Sequence, residues 1–295
     1  MMSESLEKCT FTLRLRDPSL IDSLKLMVRL GIPSEHTPVW EVSAEEGLVR
    51  LSVDAELFTQ EFGVLRIIHE VIRYTSSIDG VRIVDVDMPE SIISGFRGPR
   101  YGVEGITRLL GYSTTPIGVH IANWHGSIPS NILKVFYEVA SNGVDIGIDD
   151  SVDPAKYQAM AEMSIDYINR VKSETGRRVI FAVYLPSNPT RITEYAREAV
   201  EIGATALKVA GGLECLNSIY EVSSIGKAPI VADFTGYRWL YQVVDPSIIV
   251  KLARLSGADI ILLERHTLKT LGEEAYGRCI LEASRNYGVK KAYLA

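Results

Sequence analysis

From residue 117 onward the chain repeats one pattern: a short apolar run, a loop, a helical spacing of apolar residues, and a glycine. The runs are 117–121, 144–149, 178–185, 205–210, 229–234 and 259–263. The helical stretches that follow them stop at Gly143, Gly176, Gly203, Gly226, Gly257 and Gly288. Glycine just past a helix accepts left-handed backbone at little cost, so each marks an end. Prolines at 129, 154, 189 and 246 mark starts, where a missing N–H loses no hydrogen bond. Alternation at about 25 to 35 residues per unit requires parallel strands joined by right-handed crossovers. Runs such as VIFAVYL and DIILL are apolar throughout, as strands covered on both faces must be. Two architectures satisfy this, a (βα) barrel and an open doubly wound sheet. No G-x-G-x-x-G follows the first run, which disfavours the dinucleotide-binding open sheet.

Residues 1–95 read as a separate α+β domain, and 96–295 as the (βα) barrel domain. Within the first, 10–16 (TFTLRLR) alternates with period two, as a strand does. Asp17-Pro18-Ser19 opens a helix that ends at Gly31. Two β-like runs around Glu45-Glu46-Gly47 predict a hairpin. Residues 62–74 have helical spacing and 81–86 alternate again. This order suits a small ferredoxin-like sheet covered on one face by helices. Residues 87–103, rich in proline and glycine, read as the connection, followed by a helix over 103–110.

Composition removes several functions. The net charge is −6 and no run of Lys or Arg occurs, so nucleic acid is not an expected partner. Three widely spaced cysteines form neither a disulfide framework nor a zinc motif and suit a reducing cytoplasm. Residues 1–8 do not read as a signal peptide, and no apolar run approaches membrane-spanning length.

In parallel α/β folds, ligands bind at the carboxyl ends of the strands. There the stretch Gly143-Val144-Asp145-Ile146-Gly147-Ile148-Asp149-Asp150 turns from apolar to acidic. Lys208 lies inside an apolar strand, ALKVAGG. A desolvated lysine there can act as a base or form a Schiff base, or it can be an ion pair with Asp150 or Asp233. Asp149 and Asp150 with Glu264 could hold a metal, or only hydrogen-bond within a polar barrel end. Lys208, Asp150, Glu264 and Lys269 are the candidate catalytic residues. His120, Asn123, Arg238 and Arg265 are candidates for binding substrate. His125, Tyr184, Asn188, Asp233 and His266 fall at strand ends as well.

Several of these landmarks carry a family likeness. Phe96-Arg97-Gly98-Pro99-Arg100-Tyr101-Gly102 resembles the F-x-G-P-x-x-G segment that opens the barrel of the ribulose bisphosphate carboxylase (RuBisCO) large subunit. GVDIGIDD resembles that family's second barrel strand, and KLARLSGAD its fifth helix and sixth strand. The whole chain is similar to this superfamily, and more closely to its RuBisCO-like (form IV-like) members. The resemblance implies a small N-terminal domain, a TIM-type barrel, and active sites shared across a head-to-tail dimer. Against that family the barrel is incomplete at its C-terminus, since the sequence stops near the seventh strand.

The resemblance also shows what is replaced. The family binds magnesium through a carbamylated lysine, an aspartate and a glutamate; the matching residues are Ile148, Asp150 and Ser151. Asp150 is the only retained ligand position, so no metal or other cofactor is expected. The K-P-K motif of the first strand is Ala122-Asn123-Trp124, and Trp124 would fill the sugar-phosphate space. The H-x-H of the fifth strand lies in Ala232-Asp233-Phe234, and the H-I-H of the sixth is Ile260-Ile261-Leu262. Lys269 matches the mobile-loop lysine. Loss of one general acid or base costs about 10²–10⁴-fold, so carboxylation is not expected. The leading expectation is a RuBisCO-like protein that is non-catalytic or of another activity. The alternatives are a rewired isomerase, enolase or lyase acting on a small sugar phosphate or keto acid, and an assembly scaffold. A homodimer or higher homo-oligomer is the expected state.

Overall fold

The structure is a computed structural model that describes residues 7–31, 38–43, 47–58, 72–73, 75, 78–122, 128–151, 153–264, 266, 269–270 and 272–295. The chain forms two compact units interleaved along the sequence. One comprises Met1–Phe96, Gly236–Leu252 and Glu264–Glu282; the other comprises Arg97–Thr235, Ala253–Leu263 and Ala283–Ala295.

The first unit contains a four-stranded antiparallel sheet of β1 (Lys8–Leu15), β2 (Val39–Ser43), β3 (Leu48–Asp54) and β4 (Val81–Asp87), in the order β2-β3-β1-β4. That order is the ferredoxin-like one anticipated from the alternation of runs. Cys9, Phe11, Leu13 and Leu15 of β1 point to one face and are buried with Val49, Leu51, Val53, Ile83 and Val86. Asp17 starts a short 3-10 turn by accepting from Ser19 N at 2.9 Å, and α1 (Ile21–Gly31) follows, burying Leu24 and Val28. The helix expected over 62–74 lies almost wholly outside the described residues. Sequence 236–252 joins this unit through Asp245, which is 1 % exposed. Its Oδ2 takes Arg278 at 2.8 Å and Arg82 at 3.4 Å, while Val244 bridges Ile83.

The second unit is built on a seven-stranded parallel sheet. Its strands are β5 (Gly118–Ile121), β6 (Ile146–Asp149), β7 (Ile180–Tyr184), β8 (Ala206–Ala210), β9 (Ile230–Asp233), β10 (Ile260–Leu262) and β11 (Tyr293–Leu294), paired in sequence order from β5 to β11. The sheet curls as a half-barrel. Helices α3 (Gly102–Leu110), α4 (Pro129–Ser141), α5 (Tyr157–Thr175), α6 (Ile192–Ile202) and α7 (Cys215–Ser223) belong to it; α2 (Glu90–Ile93) is a turn in the first unit. Side chains alternate across the strands. One set, Ile146, Ile148, Ile180, Ala182, Ala206, Val231, Ile260 and Leu262, forms a single apolar cluster with Ile106 and Leu110 of α3. The opposite set meets the helices, as where Phe181 packs on Phe136 of α4 with ring centroids 4.9 Å apart. Gly147 permits that contact, because a Cβ there would lie 2.4 Å from the Phe136 ring.

The sequence reading differs from the structure at element ends. Residues 87–103, read as connection, contain α2, and a one-turn helix α8 (Leu240–Val243) was not anticipated. Helices expected from Pro154, Pro189 and Leu213 begin at Tyr157, Ile192 and Cys215; after Pro154 comes a 3-10 turn. The later helices α9 (Pro246–Ser256) and α10 (Glu273–Ser284) match, α10 stopping earlier than residue 287.

One carboxylate fixes α3 to the sheet. Asp259, fully buried, accepts from Gly102 N at 2.6 Å, Tyr101 N at 2.7 Å and Ile230 N at 2.8 Å. Burial outweighs these bonds and holds its pKa above the usual carboxylate range. Asp259→Ala leaves three backbone donors without their acceptor, and each such buried group costs about 1–3 kcal/mol. Urea denaturation should therefore show a loss of about 3 kcal/mol or more; a loss below about 1 kcal/mol would show that α3 is held by its apolar face alone.

Candidate functional site

The inward set of side chains, continued to the strand ends, changes from apolar to ionisable. Two residues beyond Ile148, Ala182, Ala206 and Val231 stand Asp150, Tyr184, Lys208 and Asp233. His120 of β5 lies in register with Ile148 and completes the group. Lys208 Nζ sits 2.7 Å from Asp150 Oδ1, 2.9 Å from Asp233 Oδ2 and 4.6 Å from the centre of the Tyr184 ring. The Asp233 Oδ1 accepts from Thr235 N at 2.9 Å and from Thr235 Oγ1 at 2.6 Å. Asp150 Oδ2 lies 3.8 Å from His120 Nδ1.

Exposure grades across this group. Lys208 and Asp233 are 1 % and 3 % exposed, whereas the Asp150 and His120 side chains are 44 % and 36 % exposed. Burial by itself would depress the Lys208 pKa, but the charges and hydrogen bonds of Asp233 and Asp150 leave it raised. Burial would raise that of Asp233, but Lys208 and the Thr235 bonds leave it lowered. Both groups are thus ionised at neutral pH. A lysine held as ammonium is neither base nor Schiff-base nucleophile. Of the readings the sequence leaves open for Lys208, the ion pair is the one observed, and it engages both carboxylates.

The adjacent Asp149 projects to the other face. It is 1 % exposed, accepts from Ser151 N at 2.9 Å and from Tyr184 N at 3.3 Å, and has its pKa raised chiefly by burial. Of the acidic pair, then, Asp149 shapes the strand end and Asp150 faces the group. Glu264 belongs to the first compact unit, where its Oε1 pairs with Arg238 Nε at 3.0 Å. Lys269, in the same unit, is exposed. Asn123 and Arg265 lie outside the described residues, as do Trp124 and His125. Within the second unit, the carboxylate that joins Asp150 on Lys208 is Asp233. The sequence names Asp233 as an ion-pair partner of Lys208, though not among the candidate catalytic residues, and it falls two residues beyond an inward-facing apolar position.

Among the described residues, His120, Asp150 and Asp233 bring three potential ligand atoms within 4.8 Å of one another. Magnesium as the superfamily holds it does not fit here. The position of the carbamylated lysine is Ile148, 3 % exposed in the apolar cluster, and that of the glutamate is Ser151. The remaining carboxylates already touch an ammonium, and magnesium requires near-octahedral oxygen coordination.

A ferredoxin-like antiparallel sheet and a curled parallel α/β sheet with ionisable strand ends define a RuBisCO-type α/β protein. The whole chain superposes on a RuBisCO-like protein from Alicyclobacillus acidocaldarius with a TM-score of 0.77 at 21 % identity, covering 98 % of this chain and 81 % of that one. An octameric RuBisCO from Pyrococcus horikoshii gives 0.79 at 16 % identity, covering 98 % and 77 %. In sequence, a ribulose bisphosphate carboxylase-like protein of Archaeoglobus fulgidus is 31 % identical over 195 residues, 62 % of this chain and 44 % of that protein. A 2,3-diketo-5-methylthiopentyl-1-phosphate enolase of Geobacillus kaustophilus is 28 % identical over 232 residues, 73 % and 53 % respectively. The chain thus spans about half the length of these curated relatives. No family model matches it. The chain thus has the RuBisCO-type fold, and its sequence is similar to RuBisCO-like proteins.

The burial gradient makes the two carboxylates unequal. Removing one partner of a buried pair costs about 3–5 kcal/mol, while an exposed one contributes at most about 1 kcal/mol. Asp233→Ala should therefore destabilise the protein by about 3–5 kcal/mol in urea titration. Asp150→Ala should cost about 1 kcal/mol; equal losses would contradict the gradient.

Proposed function

We propose that this RuBisCO-like chain does not fix carbon dioxide and that its strand-end group transfers a proton at a carbon beside a carbonyl, as an enolase or isomerase does. The observation that carries the reading is the Lys208 ammonium, seated between Asp150 and Asp233, with His120 beside the outer oxygen of Asp150. Asp150 and His120 are the partly exposed members, within reach of a small molecule, and are assigned the proton transfer. Lys208 supplies fixed positive charge where an enolate oxygen would develop. No metal or other cofactor enters this scheme. Several relatives named 2,3-diketo-5-methylthiopentyl-1-phosphate enolase support a phosphorylated dicarbonyl compound as the substrate class.

A binding role without turnover is the second reading. It is favoured by the mutual neutralisation of Lys208 and Asp233, which leaves the innermost part of the group without an unmatched charge. For either reading the proposed state is a homo-oligomer, as in the dimeric and octameric RuBisCO structures that share the fold. The proposed compartment is the cytoplasm: the three cysteines are free and buried, and no helix among the described residues is long and apolar enough to cross a membrane.

Incubation with 2,3-diketo-5-methylthiopentyl-1-phosphate in D₂O, followed by NMR, tests the reaction. Deuterium should enter at the carbon adjacent to a carbonyl, and Asp150→Asn or His120→Ala should slow the exchange by about 10²–10⁴-fold. Ribulose 1,5-bisphosphate with carbon dioxide should yield no phosphoglycerate. Exchange that survives both substitutions would remove these residues from the reaction, and saturable binding without exchange would establish the second reading.

A further inference from the structure

We propose that Lys208 is the resident cation of this site: its ammonium occupies the place in which His120, Asp150 and Asp233 would otherwise hold a divalent metal ion. The inference goes beyond the proton-transfer reading and does not depend on it, because it concerns what fills the group rather than what the group does to a substrate.

The geometry has three parts. First, one ligand atom from each of the three residues lies within 4.8 Å of the others. Atoms bound to one zinc-like ion at about 2.0–2.2 Å stand about 3–4 Å apart, so small rotations of the exposed His120 and Asp150 side chains close the set. Second, the Lys208 nitrogen is in contact with two of the three, at 2.7 Å and 2.9 Å. A metal ion between Asp150 and Asp233 would meet that nitrogen at van der Waals distance or less, and two positive charges in a buried space repel strongly. Third, Lys208 is enclosed where it stands. It is 1 % exposed, projects from the middle of β8, and lies under the Tyr184 ring. Withdrawing the ammonium would leave two carboxylates beside a neutral imidazole with their negative charge unmatched. One nitrogen and two oxygens of this kind suit zinc or cobalt, whereas magnesium prefers an all-oxygen shell.

Lys208→Met removes the charge and keeps an unbranched chain of similar length. The test titrates Co²⁺ into the wild-type protein and the variant, reading the visible d–d absorption of the bound ion. The wild type should develop no band at this site. Lys208→Met should develop one that is lost on adding His120→Ala. Changes outside the ligand shell alone move metal affinity by about 10–100-fold, so removing a charge that touches two ligands should tighten binding by about a hundredfold or more. The variant's melting temperature should rise with Co²⁺ or Zn²⁺, and Lys208→Arg, which keeps the charge, should remain without metal. If Lys208→Met does not fold, Lys208→Gln gives the same readout, and folding of either variant only in the presence of metal supports the proposal. A folded, charge-free variant that binds Co²⁺ no more tightly than wild type overturns it. So does a wild-type cobalt band that Asp150→Asn abolishes. Neither outcome depends on turnover, so the proton-transfer reading stands or falls separately.

Discussion

An ion inside a sheet covered on both faces must find its partners within hydrogen-bonding reach, because water cannot supply them. Both polar ends of the parallel sheet obey this constraint. At one end Asp259 collects the N–H groups of Tyr101, Gly102 and Ile230, which ties the opening turn of α3 to β9 and β10. At the other, Lys208 collects Asp150 and Asp233. Between them the inward face is wholly apolar, with Ile106 and Leu110 of α3 completing the cluster. The two ends differ in what remains accessible. Asp259 is closed on all sides, whereas the Lys208 group opens through Asp150 and His120, and only such an opening can receive a ligand.

Most of the architecture is legible in the sequence because its two strongest signals are local. Continuous apolar runs specify doubly covered strands, and the glycines that follow each helix specify where helices stop. Gly111, Gly176, Gly203, Gly257 and Gly288 all have positive φ. Helix starts were less legible. Proline tolerates several first-turn geometries, and after Pro154 the chain takes a 3-10 turn before α5 begins. The single turns α2 and α8 are too short to show a period at all.

The site was half legible, and the missing half has a definite cause. A lysine in ALKVAGG needs a buried partner, so its ion pair follows from composition of the strand alone. Placing each strand-end carboxylate requires knowing how far its strand keeps its alternation. Asp150 N donates to Ile121 O at 3.1 Å, so the ladder runs one residue past β6 and Asp150 stays on the inward face. Glu264 N instead donates to the Tyr241 hydroxyl at 3.3 Å, and its carboxylate turns to Arg238. Counting by twos holds only while backbone pairing lasts.

The same geometry limits the chemistry. In the superfamily that this chain resembles, a lysine at the position of Ile148 anchors a divalent ion; here that position is sealed in apolar packing, and a lysine two strands away contributes the positive charge from β8. An ammonium carries one charge instead of two and donates hydrogen bonds instead of accepting oxygen ligands. It can stabilise a single developing oxyanion, but it cannot bind two substrate oxygens and a third reactant at once, as a metal with open coordination positions can. Transfer of a proton to form an enolate needs only the first of these. Joining that enolate to carbon dioxide needs the second. For the proton transfer proposed above, a cation held on β8 supplies the one charge that the enolate step needs.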